Sequence, residues 1–400
     1  MSPEETTALE LASAPVNPGE RLDSVDILRG IALLGVLAVN VVYEFRVSIF
    51  EQFLPAAPAS ALDTAVQTVL TTAVELKALA LFSMLFGLGL AIQYERLGKS
   101  PHRLSLLVRR LVILLAIGLI HLLFIWNGDI LTEYGLAGLF VLPFLWGPRW
   151  LLAISAAVFL ALYFAMPLLP PIVPWPTTTW IRHHAVEARD AYGTGDFLRV
   201  LAFRLREIPS FLPLHVSIFP RTIALFLFGM FVWRTGIIRC PAKHGFLLRG
   251  VAIIGVVVGG ALTIAVQSHA LSALGPAQFS IEELSTTLLA TGYGAGIICF
   301  ADTPAGKRML AWAAPLGRMA FTNYLAQSLI FGWIFYGYGL GLFGRVGAAT
   351  ALAIGICVYI IQVLVSIQWL RYFRFGPVEW IWRTLMYGTP QRMRHHLPSA

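Results

Sequence analysis

The sequence predicts an all-α polytopic membrane protein with about ten transmembrane helices, and three observations predict it. Hydrophobic residues fill 58% of the 400 positions and charged residues only 12%, with a mean hydropathy of +0.75, outside the balance of a soluble domain. The apolar residues come in runs long enough to cross a hydrocarbon layer of ~30 Å, which takes about 20 residues. Basic residues gather in short loops between alternate runs, the pattern that sets orientation in a bilayer. The net charge of +8 therefore reads as topology rather than as a nucleic-acid surface.

Residues 1–20, with Glu4, Glu5, Glu10, Pro15 and Pro18, lack a basic stretch followed by an apolar core. They read as a disordered cytoplasmic tail, not a signal peptide. The transmembrane domain is expected over 21–374. Its crossings are Ile27 to Phe45, Val74 to Tyr94, Leu106 to Trp126, a fourth that follows the turn Asn127-Gly128-Asp129 and runs to Trp146, and Trp150 to Leu169. Residues 170–213, rich in proline and then in mixed charge, form an external loop with surface helices. Further crossings run over Ile218 to Trp233, Phe246 to Gln267, Leu284 to Phe300, Ala314 to Tyr336 and Ala348 to Leu370. With ten crossings, Arg96/Lys99/Arg103, Arg234/Arg239/Lys243, Lys307/Arg308 and Arg371/Arg374 share one side, which places both termini in the cytoplasm. Residues 375–400 read as an interfacial helix and tail; Trp380, Trp382 and Tyr387 around Glu379 and Arg383 suit a membrane anchor without chemistry.

The first crossing carries the first functional signal. Asp26, Arg29, Asn40 and Glu44 fall on one helical face. Stray charge in hydrocarbon costs about 3 kcal/mol or more, so that face should line protein or a wet cavity. Arg29 suits bidentate phosphate binding, or a topology anchor paired with Asp26.

His121 is the histidine set well inside an apolar helix. Arg110 shares its face, about 16 Å away along the axis. Asp129 and Glu133 follow at the start of the next helix, within reach across a hairpin to orient the imidazole. Such a histidine is either a general base or nucleophile, or a structural residue bridging helices.

Other polar residues read more plainly. Glu75 and Lys77 suit an interfacial or paired role. Asn323 and Gln327, one turn apart, suit helix–helix adhesion. His183, His184 and Glu187 read as a solvated loop cluster, and no metal site is expected. Cys240, Cys299 and Cys357 lie far apart without paired spacing, as small core residues. The run ending at Gly98 loosely echoes that ending at Gly236, as a parallel repeat or by chance.

Five ordered stretches carry a family resemblance: RLDSVDILRGIALLGVLAVN, FSMLFGLG, the span from His121 through Asp129-Ile130-Leu131 to Tyr134, GRMAFTNYLAQSLI, and FGPVEWIWRTLMYG. Together they resemble the YeiB-like bacterial membrane proteins, domain-of-unknown-function family 418, over Arg21 to Gly388. The first helix is also similar to transmembrane acyltransferases of the acyltransferase-3 and heparan-glucosaminide N-acetyltransferase types. That resemblance implies an acyl group taken from cytoplasmic acyl-coenzyme A and delivered to an envelope or extracytoplasmic acceptor, often a glycan. Acyltransferase-3 proteins place a histidine eleven residues after the first-helix arginine; Arg29 matches the arginine, but Asn40 stands where the histidine would be. Their histidine role therefore does not carry over to position 40, and His121, spaced from Arg110 by the same interval, is the substitute.

On this reading His121 is base or transient acyl carrier, Asp129 or Glu133 orients it, Asn40 donates to the oxyanion, and Arg29 and Arg110 hold coenzyme A phosphates. The rival is a transporter or exporter of a small metabolite without covalent chemistry, which predicts interrupted helices and a midplane site. A third reading, a scaffold for an envelope enzyme, predicts no cavity.

Overall fold

Sixteen α-helices build the computed structural model, which describes residues 22–55, 59–98 and 100–395. The expected tail 1–20 and Lys99 lie outside the described residues. The helices are α1 Asp23–Asn40, α2 Ala61–Ala73, α3 Lys77–Arg96, α4 Arg103–Ile120, α5 Leu131–Val141, α6 Arg149–Ala165, α7 Thr178–Thr194 and α8 Phe197–Glu207. They continue as α9 Leu212–Thr235, α10 Gly245–Gln267, α11 Ala277–Ala301, α12 Pro304–Leu310, α13 Ala313–Arg318, α14 Ala320–Phe335, α15 Ala348–Tyr372 and α16 Pro377–Tyr387. No strand forms among the described residues. The protein is an all-α polytopic membrane protein.

Eight helical segments of the described residues are long and apolar enough to cross a bilayer, two fewer than expected from sequence. The expected fourth crossing, Leu131–Trp146, is a shorter apolar helix, and Pro143 lies where its last turn tightens to 3-10 geometry. The expected ninth, Ala314 to Tyr336, is divided at Met319, whose ψ of 26° departs from helical values. That leaves α14 with 16 residues, about 24 Å of helix against a core of ~30 Å.

Burial separates the helices that line the interior from those that face lipid. In the segment Asp23–Phe45, 61% of the apolar window is buried, against 17% for Arg149–Leu168 and 22% for Pro241–Gln267. The first segment is therefore the central post, with Leu33, Leu37, Val41 and Val42 fully enclosed. Close approach to its neighbours depends on glycine: a Cβ on Gly30 would strike the Ala313 carbonyl, and one on Gly317 would strike that of Asp26. Amide pairs then tie α14 to α15, with Asn323 donating to Ser366 at 3.0 Å and Gln327 to Gln362 at 2.8 Å. This is the adhesive role read for those residues from sequence.

One break interrupts the membrane helices on the side away from α3's basic end. Between α2 and α3, Leu76 sits in the left-handed region at φ 59°. Its carbonyl accepts from Arg221 at 2.9 Å, and Lys77, buried beside it, donates to Thr71 O at 2.9 Å.

Candidate active site

The site is built from two helices that each end in a widened turn. At the end of α4, Trp126 N bonds to His121 O at 2.8 Å, an i→i+5 bond, and after α1 Arg46 N bonds to Val41 O at 3.2 Å in the same way. Single π turns of this kind are frequent at functional sites. The turn after α4 begins with His121, and the turn after α1 carries Glu44. Trp126 stacks on Phe45 with ring centroids 4.5 Å apart, locking the two turns together. Gly128 has no room for a side chain, because a Cβ there would run into the Glu44 carboxylate and the Trp126 ring. The chain can therefore double back and bring Asp129 to His121.

His121 is 1% exposed, and its Nδ1 lies 2.8 Å from Asp129 Oδ1. Asp129 is anchored in turn by the amino end of α5, accepting from Leu131 N at 3.1 Å and Thr132 N at 2.7 Å. These two backbone N–H groups align the carboxylate oxygens towards the ring. In the tautomer whose Nδ1 donates to Asp129, Nε2 carries the free lone pair. That Nε2 is buried with no hydrogen-bond partner. The imidazole is flanked by Trp126, with ring centroids 6.1 Å apart, and Tyr324, at 5.4 Å.

Tyr324 is also the inner wall of a passage. A cavity of about 460 Å³ at the basic end of α3 is ringed by Arg29, Arg96, Arg110, Arg318, Arg374 and Arg383. It adjoins a second of about 310 Å³ that shares four of these arginines, Arg29, Arg110, Arg318 and Arg383. The second cavity is lined further by Phe82, Phe86 and Leu114, and by Tyr134, Ile130 and Tyr324. Arg29 pairs with Asp26 at 3.0 Å and is partly exposed. Arg110 donates to Gln93 and lies over the Trp382 ring at 4.2 Å. The passage thus runs from guanidinium groups to an apolar throat, with the imidazole behind its last aromatic ring.

The other sequence candidates fall elsewhere. Glu133 is not against His121: its carboxylate accepts from Thr222 and meets His215 Nδ1 at 3.2 Å, both on α9. Of the two carboxylates considered, Asp129 alone orients the imidazole, because the turn aims it back while Glu133, one helical turn on, faces α9. Asn40 makes no side-chain hydrogen bond among the described residues and lines neither cavity, so nothing sets it as an oxyanion donor. His184 is not solvated: it is 6% exposed, stacked on Trp180, and its Nε2 meets Glu207 at 2.5 Å. Glu207 also accepts from Tyr192 at 2.6 Å and from Asn127, the residue beside Trp126. No cluster of metal-binding side chains occurs among the described residues.

The terminal helix departs most from its sequence reading. α16 is more than an anchor, since Trp382 and Arg383 wall the second cavity and Arg383 and Tyr387 the first. Trp382 Nε1 donates to Arg110 O at 2.9 Å. Glu379 accepts from Phe321 N at 2.8 Å and Thr322 N at 3.0 Å, clamping α16 to the amino end of α14. Burial pushes the Glu379 carboxyl above its usual range, against the pull of the Thr322 hydrogen bonds. The signal for this role was present in the arginines, but each arginine taken alone reads as a topology anchor.

Comparison with known proteins gives one consistent answer. The family described as "Protein of unknown function (DUF418)" matches residues 232–389. Over 397 residues the chain is 33% identical to the uncharacterized protein YxaH of Bacillus subtilis, covering 93% of this chain and 96% of the relative. It is 31% identical over 396 residues to the uncharacterized protein YeiB of Escherichia coli, covering 92% and 96%. An uncharacterized 39.9 kDa protein from the amylase 3' region of Bacillus acidopullulyticus is 27% identical over 395 residues, covering 94% and 96%.

Proposed function

The chain belongs to the DUF418 family of YeiB-like membrane proteins, and from that premise we propose that it is a transmembrane acyltransferase. It moves an acyl group from acyl-coenzyme A at the arginine-ringed mouth to a hydroxyl or amine acceptor on the far side. The reading puts the protein in the bacterial plasma membrane with that mouth in the cytoplasm, because the mouth lies among the basic loops. The observation that carries it is the bare, buried Nε2 of His121, held by Asp129 behind a passage that opens on a ring of arginines.

The chemistry balances without a further reactant. Nε2 takes the proton of the acceptor as its oxygen or nitrogen attacks the thioester carbonyl, the C–S bond breaks, and the proton passes to the departing thiolate. Asp129 holds the imidazolium formed on the way. Arg29 and Arg110, with Arg318 and Arg383, suit the phosphates of coenzyme A, since guanidinium pairs with phosphate bidentately. Glu133, whose oxygens are taken by α9, carries no step, and none is given to Asn40, whose amide no hydrogen bond among the described residues aims.

The competing reading is a metabolite exporter without covalent chemistry, and the helix break at Leu76 beside buried Lys77 and Arg221 favours it. Incubating the purified protein in lipid with radiolabelled acetyl-coenzyme A and envelope glycan separates the two. Acyl transfer labels the glycan, and His121→Ala, with membrane insertion verified, lowers the rate about 10²–10⁴-fold. A glycan left unlabelled by acetyl- and by longer-chain acyl-coenzyme A alike, or an undiminished rate in His121→Ala, removes the proposal.

A further inference from the structure

A third cavity, of about 200 Å³, lies on the other side of Leu85 from the passage, with Leu85 as the residue that lines both. Its wall exposes no polar surface. It sits at the same end as the arginine mouth: Trp233 of α9 lines the mouth, while its neighbour Val232 lines the third cavity. α3 is thus a partition, with Phe82 and Phe86 facing the passage, Leu81 and Leu88 facing the dry cavity, and Leu85 between. A dry cavity of about 150 Å³ takes a hydrocarbon the size of benzene, so this one holds about eight carbons.

We infer that this cavity receives the hydrocarbon tail of the acyl donor, so that the protein uses medium-chain acyl-coenzyme A thioesters of about eight carbons in preference to acetyl. The inference rests on the acyl-transfer reading and extends it to the substrate class. Headgroup and tail of such a donor match the two kinds of surface that meet at Leu85: guanidinium on one side, aliphatic wall on the other. A thioester placed beside Tyr324 would carry its chain past Leu85, the residue common to both walls.

The test is a chain-length series. Dissociation constants of acetyl-, butyryl-, octanoyl- and palmitoyl-coenzyme A are measured on the full-length protein in lipid nanodiscs, with empty nanodiscs as blank. Burial of each methylene is worth at most about fourfold, from about 0.8 kcal/mol. Octanoyl should bind at least about 100-fold tighter than acetyl, with no further gain at palmitoyl. Val251→Trp, which fills the cavity from α10, should weaken octanoyl at least about tenfold and leave acetyl unchanged; Ala295→Phe, from α11, is the second variant in case the first does not insert. Equal affinity along the series overturns the inference and leaves acyl transfer standing. So does a Val251→Trp protein that sheds a co-purifying phospholipid while keeping its octanoyl affinity, since the cavity then belongs to a bilayer lipid. Failure to bind any coenzyme A thioester removes the inference together with the reading beneath it.

Discussion

The two ends of the passage handle charge in opposite ways. Around His121 several ionisable groups are paired: imidazole with Asp129, Glu133 with His215, and Glu207 with His184 and Tyr192. At the mouth the charged lining is mainly of one sign, six arginines with Asp26 and Glu95 among the described residues. Matched groups in a low-dielectric interior hold one another in place, whereas an excess of one sign attracts a ligand of the other. On the proposed acyl transfer, chemistry belongs to the paired end and binding to the arginine mouth, and each role has a distinct kinetic signature.

Asp129→Asn gives the largest expected effect. The amide still accepts from the α5 backbone but no longer holds the imidazole in one tautomer, so kcat should fall about 10²–10⁴-fold with KM nearly unchanged. A change in KM alone would break the division between the two ends. Next comes Glu207→Ala, which strands His184, Asn127 and Tyr192 as buried donors. It should cost about 3 kcal/mol in thermal unfolding of the detergent-solubilised protein; an unchanged melting temperature would mean that water enters the network. The pair Arg29→Gln and Arg110→Gln should raise KM for the coenzyme A donor about tenfold, with an effect that shrinks as salt rises and kcat nearly constant. A fall in kcat instead would place these arginines at the reacting atoms. The smallest effect belongs to Gln362→Leu, which breaks an amide pair between α14 and α15 and should cost about 0.6 kcal/mol, typical of polar contacts between membrane helices.

Near neighbours in sequence were the legible part of the site. His121 and Asp129 are eight residues apart across one turn, so spacing and hairpin geometry placed Asp129 or Glu133 beside the imidazole without choosing between them. Glu133 shows where that reasoning stops. Its partners His215 and Thr222 lie 82 and 89 residues away on α9, and no local period announces them. His184 looked like a surface residue because its neighbours are charged, yet Phe50, Trp180 and Phe203 enclose it. α16 looked like an anchor because Trp and Tyr suit an interface equally well when they cover a cavity.

Helical repeat, hydropathy and the basic loops by themselves determined that the chain is a bundle of membrane helices with a polar stripe on the first, because those properties are local and the bilayer enforces them everywhere. Tertiary structure alone decided which polar residues distant in sequence meet. It brought arginines from α1, α3, α4, α13 and α16 to one mouth and left Asn40 outside it. The reason is geometric: a side chain's direction follows from its own helix, but its partner depends on how that helix is rotated and packed against others far away in the chain.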